Sequence, residues 1–158
     1  MSVVIALEPF SAALFREILP LAQKCWEEAT ILKAETCAFY GERDFQIEPD
    51  EARYHELAAI RTLVIVTLRQ EGVLEGYVEG FLYRSLHHQK ILAGIGDTLY
   101  VNPSLRSYTG PLVDRFLEEM RVRHAQIIGW PVTPGSSVHK VLLTFGFVGD
   151  DVVMEKRL

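Results

Sequence analysis

The chain has 158 residues, a formal net charge of −5, 49% hydrophobic residues and 23% charged ones. Those values suit one globular domain over residues 1–158 with a core of its own. The acidic, well-mixed charge argues against nucleic acid or an anionic membrane as the main partner, because both reward excess Lys and Arg. No apolar run reaches the ~18 residues of a membrane span, and no basic start, apolar run and cleavage site mark a signal peptide. The expected location is therefore cytoplasmic.

Residues 2–7 form a β-branched run that predicts a first strand. Ser11 stands as an N-cap before Ala12, Leu14, Phe15, Ile18, Leu19, Ala22 and Trp26, which follow a helical period. Pro20 is expected to kink or divide that helix. Trp26 reads as core. Cys25 and Cys37 match no zinc or redox spacing and read as structural thiols. Residues 29–39 read as a helix or a structured loop, and Phe39 and Tyr40 fall at its end. Pro49, Asp50 and Glu51 open a further helix with Tyr54, Leu57 and Ala58 on its inner face.

The pattern then changes to strands. Residues 61–69 and 73–86, joined by a Gly72 turn, predict an antiparallel hairpin. His87 and His88 lie in the next loop; adjacent histidines on extended chain point apart and no ligand set follows, so no metal is expected. Residues 91–101 form a strand whose Gly94 and Gly96 suggest a bulge or a close approach. A loop over 102–110, a helix over 111–123, a strand over 125–132, a helix ending at Thr144 and a strand over 147–158 complete the chain. The order β-α-α-β-β-β-α-β-α-β implies an α/β fold with a mixed, mostly antiparallel sheet and helices on both faces.

Two segments carry a family likeness. Asp97-Thr98-Leu99-Tyr100-Val101-Asn102-Pro103-Ser104-Leu105-Arg106 resembles the fourth strand of the GNAT acyltransferases and its exit. Leu143-Thr144-Phe145-Gly146-Phe147, followed by Val153 to Leu158, is similar to that family's ending. The first segment also resembles GNAT-like proteins of tailed phages. The resemblance implies an acyl-CoA donor, acetyl-CoA above all, and an amine acceptor that attacks the thioester directly. It also implies main-chain pairing of the pantetheine arm with Leu99, Tyr100 and Val101. The pyrophosphate falls to the loop of Arg106, Ser107, Tyr108, Thr109 and Gly110. A helix N-terminus with free N–H groups binds such anions, and glycines let the backbone approach. Family members write this loop Arg-x-x-Gly-x-Gly or Ala; Tyr108, Thr109 and Pro111 depart from it.

Transfer to an amine needs a base for the ammonium proton and an acid for the thiolate. The resemblance places the base at Asp97, whose position beside an apolar strand favours a raised proton affinity. It places the acid, usually Tyr, at Leu142, which cannot donate. His139, one turn earlier, is a substitute candidate, and Tyr108, Ser136 and Ser137 are other possible donors. Glu75, Tyr77 and Glu79, on one strand face by their spacing, are candidates for holding a cationic acceptor. A second reading keeps the scaffold without efficient catalysis. It is then a binding module that docks to another protein, a host enzyme if the chain is phage-encoded.

Overall fold

The computed structural model describes residues 2–34 and 47–149. Five strands lie in the order β1 (Val3–Leu7), β2 (Leu63–Gln70), β3 (Val73–Arg84), β4 (Leu92–Val101) and β5 (Ile127–Gly129). The first four pair antiparallel and β4 pairs with β5 in parallel. Between β1 and β2 run α1 (Ala12–Ala34) and α2 (Glu51–Ala59). A 3-10 helix over Pro103–Tyr108 leads directly into α3 (Thr109–Val122), and α4 (Ser137–Thr144) follows β5. This is the expected mixed α/β sheet with helices on both faces. Cys37, Phe39, Tyr40 and residues 150–158 of the expected closing strand lie outside the described residues.

Local chemistry fixes the element ends. Ser11 Oγ accepts from the Leu14 N–H at 3.1 Å, and Asp50 Oδ1 from the Arg53 N–H at 3.1 Å, so both helices start on side-chain caps. Pro20 lies inside α1 without dividing it. Glu71 and Gly72, at φ 51° and 86°, make the two-residue turn that matches strand twist between β2 and β3. At the end of α4 the Phe147 N–H reaches the Leu142 carbonyl and the Gly146 N–H that of Leu143, with Gly146 at φ 80°. The Phe-Gly-Phe segment is thus a Schellman cap, a structural reason for its sequence.

Side chains alternate across the sheet. Val64, Val66 and Leu68 of β2 and Val78 and Leu82 of β3 face α3, where Leu112, Val113, Phe116, Leu117 and Met120 cover them. Ile65 and Tyr77 face the other way, onto Leu14, Ile18 and Leu21 of α1.

Two bulges interrupt β3 and β4. Leu68 opposes Gly76 while Arg69 opposes Leu74, which leaves Glu75 unopposed. Glu79 opposes Thr98 while Gly80 opposes Gly96, which leaves Asp97 unopposed. Bulges of this kind re-aim side chains beside sites. A methyl group on Gly80 would lie 2.1 Å from the Ile95 carbonyl oxygen, so the second bulge requires glycine there.

Candidate active site

Among the described residues, the strand β5 pairs only with Ala93, Gly94 and Ile95. Beyond Gly96, β4 keeps β3 on one side and has no strand on the other among the described residues. Trp130 follows β5 and occupies the point of separation. Its indole lies over Gly96, where an added Cβ would be 2.3 Å from Trp130 Cδ2. Phe116 and Phe147 hold the ring, with centroids 5.5 and 6.3 Å away. The opening is a cavity of about 950 Å³ between α1, the segment before α2, β4 and the β5–α4 connection.

At the cavity wall stands a buried carboxylate. Glu79 is 3% exposed, and its Oε1 accepts from the Tyr54 hydroxyl at 2.7 Å. Its Oε2 is buried and has no hydrogen-bond partner among the described residues. Burial pushes the Glu79 carboxyl up to about 7; the Tyr54 hydrogen bond opposes this, the negative charge of Asp97 adds to it, and Thr98 opposes it more weakly. The same surroundings raise the Tyr54 hydroxyl, by burial first and then by the Glu79 charge. Cys25 also lines the cavity and gives its thiol to the Leu99 carbonyl at 3.6 Å. Burial pushes that thiol up to about 11, and Glu28, Glu79 and Asp97 add to the rise. A thiol so protonated at neutral pH is a poor nucleophile.

Asp97 lines the cavity as well, exposed on its bulge, with its Oδ2 taking the Thr98 hydroxyl at 3.3 Å. The burial expected of Asp97 belongs to Glu79 instead, because the bulge swings Asp97 outward. Leu99, Tyr100, Val101, Arg106 and Thr109 are brought to the same cavity; Ser107, Tyr108 and Gly110 are not part of its wall. Glu75 is not there either. Its carboxylate takes the Asn102 side-chain amide and its carbonyl the Asn102 N–H, which together pin the exit of β4. Tyr77 is fully buried in the core against α1, so it cannot touch an acceptor. His139 is not part of the cavity wall; its Nδ1 accepts from the Gly135 N–H at 3.1 Å. Leu142 is core, 2% exposed, while Ser137, Val138 and Val141 face the cavity from α4. Trp26, read as core, is part of the cavity wall.

The anion end differs from the expected loop. Residues 103–108 are a 3-10 helix rather than open loop, and α3 starts at Thr109, two residues earlier than its pattern suggested. The Thr109 N–H is taken by the Arg106 carbonyl, and Pro111 has none, so the helix start offers few free donors. Arg106 itself gives Nη2 to both oxygens of Glu28, at 2.7 and 2.9 Å. A Cβ on Gly110 would meet nothing within 4 Å, so the chain is uncrowded there.

Tyr54, Cys25, Glu28, Glu48 and Trp130 are among the cavity residues that sequence reasoning left out of the site. Tyr54 carried only an inner-face signal, and its pairing with Glu79, 25 residues away, depends on how α2 crosses the sheet.

The architecture is the GNAT fold. The structure superposes on a ribosomal-protein-alanine N-acetyltransferase from Brucella melitensis biovar Abortus 2308 with a TM-score of 0.65 at 18% identity, covering 99% of this chain and 100% of that one. A tetramutant of a Bacillus halodurans protein gives 0.74 at 12% identity, with full coverage of both. An aminoglycoside N-acetyltransferase in complex with CoA gives 0.68 at 13% identity, covering 100% of this chain and 97% of that one. No protein-family model matches the chain, and no curated protein matches it in sequence. No helix among the described residues is long and apolar enough to cross a membrane.

Proposed function

We propose that the protein is an acyl-CoA-dependent N-acyltransferase, using acetyl-CoA, with Glu79 as its base. The observation that carries this reading is the buried Glu79 carboxylate, with one oxygen unpartnered, at the wall of a cavity beside a one-sided strand edge. A base held near 7 is matched to work at neutral pH. Leaving a buried carboxylate oxygen unpaired costs about 1–3 kcal/mol, which a purely structural role does not repay.

The unpaired edge of β4 from Thr98 to Val101 suits the amide groups of a pantetheine arm, which would add to the sheet as a short strand. Arg106, once released by Glu28, would meet phosphate. The acceptor ammonium gives one proton to Glu79, directly or through a water. Its neutral nitrogen attacks the thioester carbonyl carbon, and a tetrahedral adduct forms. As that adduct collapses, the carbon–sulfur bond breaks, and the nitrogen's second proton goes to the departing thiolate. The proton balance therefore closes without a Tyr at position 142. Asp97, the base suggested by the family likeness, takes a place at the cavity rim in this scheme.

The pairing of Arg106 with Glu28 favours a second reading, a GNAT-fold binding module that docks to another protein. Calorimetric titration with acetyl-CoA and with free CoA separates the two. Micromolar binding of both supports the transferase; absence of binding at millimolar ligand contradicts it.

A further inference from the structure

We infer that the acceptor is a small molecule carrying at least two positive charges, one ammonium placed at Glu79 and a second at Asp97. The assignment rests on the transferase reading for its chemistry and on the cavity alone for its binding. Four carboxylates line the cavity, Glu28, Glu48, Glu79 and Asp97, against a single cation, Arg106, among the described residues. Glu28 neutralises Arg106 through both of its oxygens. Neither Asp97 nor Glu48 has an ion pair among the described residues, and the hydrogen bond that Asp97 Oδ2 receives comes from the neutral Thr98 hydroxyl.

Glu79 supplies the independent observation. It is 97% removed from solvent and lines the cavity, yet its Oε2 has no hydrogen-bond partner among the described residues. Such an atom is open to a donor from a bound molecule. Glu79 on β3 and Asp97 on the β4 bulge sit on neighbouring strands, close enough that the charge of one is felt by the other. A single ammonium at Glu79 leaves Asp97 and Glu48, which line the cavity together with the apolar Trp130, Val138 and Val141, without a counter-charge among the described residues. A dication answers both carboxylates, and the carbon chain between its charges can lie on that wall. A cavity of about 950 Å³ suits a small molecule.

The test is calorimetric titration of the intact protein, without acyl donor and at low ionic strength, with 1,5-diaminopentane and with 1-aminopentane. The diamine should bind about tenfold tighter, and the margin should shrink as salt rises. Asp97→Asn should remove the preference while weakening the monoamine little, with an unchanged circular dichroism spectrum as the check on folding. Equal binding of the two amines, no binding of either, or a preference that survives Asp97→Asn overturns the inference. Acetyl transfer to 1-aminopentane as efficient as to the diamine would also overturn it and would leave the transferase reading intact. Diamine preference in a protein that fails to bind CoA would do the reverse.

Discussion

The two faces of the sheet are built to different standards. Toward α3, the side chains that cover the sheet are apolar, Leu112, Val113, Phe116, Leu117 and Met120, and the buried Glu119 of that helix is paired with Arg115. Toward α1 and α2, the sheet buries Tyr77, Thr67 and Glu79 beside its aliphatic residues, and among the described residues Tyr77 Oη and Glu79 Oε2 have no hydrogen-bond partner. The first face stabilises the fold by burying apolar area, about 25 cal/mol per Å². The second gives up part of that gain to keep a carboxylate in a low-dielectric wall. Four antiparallel strands and an apolar face against α3 supply the stability that lets the other face carry it.

The comparison breaks most sharply at Glu79. Glu79→Gln should lower kcat/KM for the acceptor by about 10²–10⁴-fold if the group is the base. The same change should stabilise the protein at alkaline pH. The folded-state carboxyl is raised from 4.5 to about 7, so the folded chain holds a proton there that the unfolded chain has lost. The contribution of this group is therefore complete below pH 4.5 and is lost as pH rises through 7, by on the order of 3 kcal/mol. Melting temperatures of wild type and Glu79→Gln should diverge at pH 8, with the variant higher, and converge at pH 4. Lost activity together with lost stability at both pH values would mean a structural role instead.

Gly96→Ala attacks the separation of β4 from β5. Its methyl group meets the Trp130 ring, so the indole must move or the strands shift, at about 1–3 kcal/mol. CoA affinity measured by calorimetry should fall with the melting temperature. Unchanged affinity would remove the Trp130 wedge from the account.

Tyr54→Phe is a finer probe. Its hydrogen bond holds the Glu79 affinity down against burial, so its loss should move the rising limb of kcat/KM to higher pH. A limb that stays in place would separate Tyr54 from the base.

The smallest effect belongs to Glu28→Gln. Arg106 and Glu28 are each about half exposed, and exposed pairs contribute about 0–1 kcal/mol. Freeing Arg106 should tighten CoA binding by only a few-fold, read by the same titration. Arg106→Ala should weaken it.

Much of the fold was legible in the sequence because its signals are local. Ser11 as a cap, the acidic helix start at Asp50 and Glu51, Gly72 in a tight turn, Gly96 as a close-approach glycine and the apolar run of β2 can each be read within a few residues. The boundaries of β5 and of the 3-10 helix were not; β5 ends at Gly129, just before Trp130 lies over Gly96. The site was half legible. The β4 segment from Asp97 to Val101 and the carboxylate at Glu79 were both singled out, yet their roles change places in the proposal. Spacing puts Glu75, Tyr77 and Glu79 on one face, but the bulge at Glu75 breaks that face and α1 seals Tyr77 inside it. Likewise the bulge at Asp97, signalled by the strand glycines Gly94 and Gly96 but not assigned by them to a residue, turns that carboxylate outward and leaves Glu79 buried.

The central claim is a carboxylate kept near neutrality in the wall of the cavity. Carbon-detected NMR titration of the Glu79 side-chain carboxyl, assigned by comparison with Glu79→Gln, tests it without knowledge of the acceptor. The account predicts a midpoint near pH 7, moving upward in Tyr54→Phe. A midpoint at the ordinary 4.5 would mean that Glu79 is solvated, and the account of this face as the seat of the chemistry would fail.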